Sequence, residues 1–90
     1  MKEVRSIRWT RGAIKHIAKH NIEPFEVEEA LFEDKPIIRR GGKDRAYILA
    51  QTLSGRYLFI VISYPPVKGE ISIITARDMD EKERRLYKKG

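Results

Sequence analysis

Apolar and polar positions change their period three times along the chain. Val4, Ser6 and Arg8 alternate with Arg5, Ile7 and Trp9, which predicts a brief strand closed by Trp9 as an anchor in the core. Thr10 then offers an N-cap hydroxyl, and Ala13, Ile14, Ile17 and Ala18 recur at the three-and-four spacing of an amphipathic helix. That helix ends near His20-Asn21, where Asn tolerates a left-handed backbone. Pro24 suits the first position of a second helix, with Val27, Ala30 and Leu31 on one face. After Lys35-Pro36 the period becomes two: Ile37 to Arg40, a turn at 41–44, a strand over Ala46 to Leu53, and a reversal at Ser54-Gly55. The run Arg56 to Tyr64 is apolar on both faces, which predicts a central strand covered on both sides. Pro65-Pro66 breaks it, and Glu70 to Arg77 forms the last strand, its alternation placing Arg77 with Ile71, Ile73 and Thr75. Asp78 is the expected cap of a final helix from Met79 to about Lys88, with Glu81 completing a D-x-x-E capping box. Met79, Glu83, Leu86 and Tyr87 would share one of its faces.

The pattern predicts an α+β fold: an antiparallel sheet of three to five strands, two helices before it and one after it, with the first strand at an edge. Ninety residues suffice for one compact core, so residues 1–90 read as a single domain, and multidomain enzymes are excluded. No apolar run approaches the ~20 residues of a membrane span, and the start lacks the apolar stretch of a secretory signal. The expected location is the cytoplasm. The absence of cysteine excludes disulfides, thiolate zinc and a cysteine nucleophile. Two histidines supply a metal site poorly, and no cofactor is expected.

Charge refines the picture because it is segmented. The 19 Lys and Arg outnumber 13 Asp and Glu. Residues 1–20 sum to +5, 21–34 to −6, 35–68 to +6 and 69–90 to +1. Basic stretches flanking an acidic helix suggest one face that attracts a polyanion and another that repels it. The same charge argues against a helix-turn-helix in residues 10–34, since its recognition helix would be pushed from DNA phosphates.

Three features occur in fixed order: the strand ending at Trp9, the Ala18-Lys19-His20-Asn21 helix end before Glu28-Glu29-Ala30, and Ile74-Thr75-Ala76-Arg77 followed by Glu83-Arg84-Arg85-Leu86-Tyr87. Together with Arg45 and the Gly55-Arg56 turn they resemble the BrnT family of bacterial toxins over nearly the whole chain. The I-x-A-R-x(5)-E-R-x-x-Y pattern at 74–87 is the most specific piece. Lys19-His20-Asn21 stands where the family typically has Lys-His-Gly. The resemblance implies a RelE-like fold and a metal-independent endoribonuclease, held inactive by a cognate antitoxin and reaching operator DNA only through the antitoxin complex.

Such cleavage uses the neighbouring 2′-hydroxyl as nucleophile, so the protein must accept its proton, neutralise the crowded phosphate and protonate the departing 5′-oxygen. Guanidinium groups suit the second task, which makes Arg77 the first candidate and Arg45 the next. Its bland alternative is an ion pair with a nearby acid, and Glu83 is read as orienting Arg77 or Arg84. His20 is the candidate for proton transfer, histidine being the residue type that titrates near neutrality, although a histidine at a helix end also serves the last carbonyls. His16 lies one turn earlier on the same face. Tyr87 would donate to phosphate or stack on a base, or else pack beside Leu86. Arg56, Arg84 and Lys19 are expected RNA contacts, with Arg56 equally readable as a surface charge beside the turn. A non-catalytic basic domain binding nucleic acid or an acidic protein is the rival reading. The antitoxin would be expected on the C-terminal helix or an exposed sheet edge.

Overall fold

The computed structural model describes residues 4–32 and 35–89. Its elements run β1 (Ser6–Arg8), α1 (Arg11–Ala18), α2 (Pro24–Phe32), β2 (Ile37–Gly41), β3 (Arg45–Gln51), β4 (Tyr57–Ser63), β5 (Glu70–Asp78) and α3 (Glu81–Lys89). This is an α+β fold. The five strands form one sheet in the order β1-β5-β4-β3-β2. All neighbours are antiparallel except β1, which lies parallel to β5 at the edge with Ile7 opposite Ile71. The apolar run that predicted a central strand is β4, in the middle of the order.

The helix boundaries follow local chemistry. Thr10 caps α1, its hydroxyl accepting from the Ala13 amide at 3.0 Å. Asn21 ends the α1 turn at φ 59°, and the chain re-enters a helix at Pro24. Glu26 closes that entry by accepting from the Glu23 amide at 3.0 Å.

One face of the sheet is apolar and covered by α1 and α2. Ile48, Leu58, Ile60, Ile62 and Ile71 from the strands meet Ile17, Ile22, Val27 and Leu31, all fully buried or nearly so. Each such side chain contributes about 1.5–3 kcal/mol by leaving water. Ala30, Ala46, Ala50 and Ala76 have no exposed surface, and their small size lets the helices sit close to the strands. Trp9 packs against this core, and its indole N–H donates to Glu28 of α2 at 3.1 Å.

The strict alternation expected along β5 fails at one residue, with a useful consequence. Val61 pairs with Thr75 but Ile62 pairs with Ile73, so Ile74 is an extra residue without a partner. The bulge reverses the phase: Ile71 and Ile73 face the core before it, and Ala76 faces the core after it. Arg77 therefore shares a face with Thr75 and not with Ile71 or Ile73. Without the bulge its guanidinium would point into the apolar core, so this backbone irregularity puts it on the second face.

The last helix also starts later than its pattern suggested. Two D-x-x-E registers overlap at 78–83, and the chain uses Asp80 and Glu83: the Glu83 amide donates to Asp80 Oδ1 at 2.8 Å and the Asp80 amide to Glu83 Oε1 at 2.9 Å. Asp78 ends β5 instead, opposite Leu58. None of the described residues of α3 is buried. Polar and aromatic contacts hold the helix to the second face of the sheet.

Candidate active site

The second face carries Arg45, Tyr47, Leu49 and Gln51 of β3 beside Ser63, Val61, Phe59 and Tyr57 of β4, with Thr75 and Arg77 of β5 beyond. The candidate residues distribute over it unequally. At the end where β4 begins and β5 stops, the 52–56 hairpin, the end of α1 and the start of α3 converge.

Arg56 is the keystone of that end. Its Nε and Nη2 donate to the two oxygens of Asp78 at 2.7 and 3.2 Å, Nη1 donates to Glu26 at 3.2 Å and to the Asn21 carbonyl at 2.7 Å, and Nη2 reaches the His20 carbonyl at 3.1 Å. All five guanidinium N–H donors are engaged inside the protein. Expected as an RNA contact, Arg56 instead ties α1, α2 and β5 together and satisfies two carbonyls that α1 leaves open at its end. The hydrogen bond from Arg56 holds the Asp78 carboxyl below its ordinary pKa against the opposing effect of burial, with His20 and Arg84 adding smaller attractions. Asp78 correspondingly raises the Arg56 pKa. The turn itself is locked by Thr52, which is buried and accepts from the Arg56 amide at 3.0 Å, and by Gly55, whose φ of 96° requires a residue without Cβ.

Around this brace lie the other candidates. His20 sits with its ring 6.0 Å from that of His16 on the same helix face. Tyr57, Asp78, Met79 and Arg84 line a shallow cleft. Tyr87 meets Tyr57 edge to face at 6.0 Å, and Arg84 and Lys88 stand 5.9 and 5.4 Å from the Tyr57 ring centre. Lys19 is exposed beside His20. One end of the molecule thus collects His20, Tyr87, Arg84 and Lys19, with Arg56 beneath them.

Arg77 lies at the margin of this group. Glu83 grips it with two bonds of 2.8 and 2.9 Å, its guanidinium covers the Phe59 ring at 4.1 Å, and it donates to the Asp78 carbonyl at 3.0 Å. Glu83 is the main cause of its raised pKa. Glu83 orients Arg77, one of the two arginines anticipated for it. Three N–H groups are used, so two of the five remain for another acceptor. Arg45 is not brought together with the rest: it opens β3 opposite Ser63, four residues along β4 from the Phe59 that pairs with Arg77, or roughly 13 Å.

Three contributors escaped the sequence reading. The pattern makes Asp78 a helix cap and Tyr57 a strand residue, and it leaves Glu26 as one of the acids of residues 21–34. Only the second D-x-x-E register at Asp80 could have released Asp78 for Arg56.

No curated protein matches this chain in a sequence search. A family model described as ribonuclease toxin, BrnT, of type II toxin-antitoxin system matches residues 9–83, a span that runs from Trp9, just after β1, to the Glu83 that clamps Arg77. Matching well over half its length, the chain belongs to the BrnT family of ribonuclease toxins.

Proposed function

We propose that residues 1–90 act as one toxin domain, a cytoplasmic, metal-independent endoribonuclease, cutting RNA at the end of the sheet where His20, Tyr87 and Arg84 meet. The carrying observation is what surrounds the cleft lined by Tyr57, Asp78, Met79 and Arg84: Tyr87 of α3 packs on Tyr57, and Arg56 ties the chain end that carries His20 to Asp78. Arg56 beneath them contributes position, not a ligand.

In this reading His20 accepts the 2′-hydroxyl proton as that oxygen attacks phosphorus. Arg84, Lys19 and the two remaining N–H groups of Arg77 neutralise the charge that builds on the phosphoryl oxygens. The Tyr87 hydroxyl protonates the 5′-oxygen as its bond to phosphorus breaks. The products are a 2′,3′-cyclic phosphate and a 5′-hydroxyl end, and the proton taken by His20 returns to Tyr87 through solvent. A cognate antitoxin inhibits by covering this end, and the pair reaches operator DNA through the antitoxin.

Controlled expression with RNA integrity followed over time tests the reading. The wild type should arrest growth and fragment RNA, and His20→Ala and Arg77→Ala should do neither while keeping the wild-type circular dichroism. The purified chain should cut in the presence of a chelator and leave cyclic phosphate ends. Intact RNA in the wild-type culture, with the chain expressed and folded, defeats the enzyme reading in favour of a binding domain.

A further inference from the structure

The cations of the second face fall into two classes. Arg56 and Arg77 are tied to Glu26, Asp78 and Glu83, the acids of every ion pair among the described residues. Arg8, Arg45 and Lys68 take part in none of them. Arg8 and Lys68 lie together at the opposite end of the sheet from the candidate active site, and Arg45 lies at that same end on β3, three strand positions across from β1.

The register explains how they meet. Parallel pairing sets Arg8 of β1 beside Ser72 of β5, both turned away from the core because Ile7 and Ile71 occupy the other side. Ser63 at the end of β4 accepts from the Ser72 amide at 2.8 Å, and Arg45 stands opposite Ser63. The tight 67–70 turn, closed by the Val67 and Glu70 backbone bonds with Lys68 at φ 52°, brings the ammonium to the same place. The outcome is a cleft of about 520 Å³ lined by Arg8, Lys68, Ser6, Ser63 and Ser72, with Val67 and one carboxylate, Glu70, also in its lining. Hydroxyls and unpaired cations around a mononucleotide-sized hollow are the chemistry of phosphate recognition.

Between the two ends runs an open strip. Tyr47 stacks on Phe59 with ring centres 5.7 Å apart, and Tyr47 keeps 38% of its surface exposed. Bases stack on such rings irrespective of sequence. We infer that the Arg8–Lys68–Ser63–Ser72 cleft, with Arg45 at its edge, is a second phosphate-binding subsite, holding the backbone of single-stranded RNA about six residues along β4, or roughly 20 Å, from the point of cleavage. The inference rests on the ribonuclease reading, because it takes the second face as the RNA path. It gives Arg45 a place as a distal backbone contact.

The test measures binding of fluorescent, 2′-O-methyl oligoribonucleotides, which cannot be cut, at several salt concentrations. The variant is Arg8→Ala with Lys68→Ala. The control, Arg11→Ala with Lys15→Ala, removes the same charge from α1 on the other side of the sheet. For a 12-nucleotide probe the cleft variant should bind roughly tenfold more weakly, with a salt slope lower by about 1.4, the value for two phosphate contacts on a single strand. A four-nucleotide probe should report little difference between variant and control. Equal losses in both double variants, or an unchanged slope in the cleft variant, overturn the subsite while leaving cleavage by the wild type intact. A wild type that neither cuts nor binds RNA overturns the subsite and the ribonuclease reading together. Thermal melting of each protein identifies a variant that fails to fold, in which case Arg8→Gln with Lys68→Gln replaces it and the same criteria apply.

Discussion

Replacing Arg56 with alanine removes five donors at once, and the structure says how unequal their contributions are. The Asp78 arm is short, at 2.7 Å, but the Asp78 side chain is 61% exposed, so water and salt reduce that pair to a few tenths of a kcal/mol up to about 1. The Glu26 arm is different. Glu26 is only 15% exposed, and without Arg56 its carboxylate stays beside the 52–56 turn with no cation to balance it. The carbonyls of His20 and Asn21 also lose their donors, which loosens the end of α1. The sum is a loss of about 2–3 kcal/mol, or roughly 10–20 °C in Tm for a domain of this size. Urea denaturation measures it, with an unchanged m-value showing that the denatured state is the same. A double-mutant cycle then separates the arms: coupling of Arg56 to Glu26 should exceed its coupling to Asp78. Because the brace fixes the backbone of His20, the folded variant should lose turnover more than substrate affinity. An Arg56→Ala protein within 0.5 kcal/mol of wild type would refute the argument, since it would mean the five bonds are replaced by water without cost.

Other consequences are testable more briefly. Arg56 depresses the Asp78 pKa, so this pair stabilises the fold above the unfolded carboxyl value near 3.9, and its contribution disappears as pH falls through the lower folded value; stability curves from pH 2 to 6 should show Arg56→Gln losing that acid-side advantage. Asp80→Ala opens the capping box and should cost about 1 kcal/mol, read by denaturation, with fraying of α3 read by hydrogen exchange. A methyl group at Gly41 would run into the Tyr47 ring, so Gly41→Ala should cost about 1–3 kcal/mol and shift the aromatic signals of Tyr47. Deleting Ile74 removes the bulge and forces either Arg77 or Ile71 and Ile73 onto the wrong face; the protein should fail to give a cooperative unfolding transition.

Most of the architecture was legible because it follows from periodicity and from caps with short reach. Thr10, Asn21, Pro24 and the two-faced apolar run of β4 each define their element locally. Two failures have a common physical origin. The bulge at Ile74 depends on how β5 must register against β4 while also pairing with β1, and neither constraint is visible within residues 70–78. The choice between the overlapping D-x-x-E registers depends on Arg56, 22 positions away, which takes Asp78 for itself. Residue types suitable for the chemistry could be found in the sequence. Which of those side chains were already committed to a partner could not, because commitment is decided by contacts such as Arg56 to Glu26, separated by 30 positions.

That distinction changes how the basic character of this protein produces an RNA-binding surface. A formal charge of +6 describes an average. Three of the described acids stand where guanidinium groups must be held still: Glu26 and Asp78 fix Arg56, and Glu83 fixes Arg77 while closing the cap of α3. Fixing a cation this way lowers its attraction for a polyanion, because the local field is that of a dipole and falls off faster than that of a charge. The cations without carboxylate partners supply the long-range field, and they lie at both ends: Lys19, Arg84 and Lys88 near the cleft, Arg8, Arg45 and Lys68 beyond the stacked rings. In the proposed mechanism Arg84 and Lys19 serve both capture and the scissile phosphate, whereas Arg56 and Arg77 are held in place by carboxylates. On the proposed reading, arginines with a carboxylate partner set geometry, and unpaired lysines and arginines set affinity. On this argument, raising the salt concentration should weaken RNA capture while leaving the arrangement of Arg56 and Arg77 intact, since their bonds are short and partly screened from solvent by the elements they join.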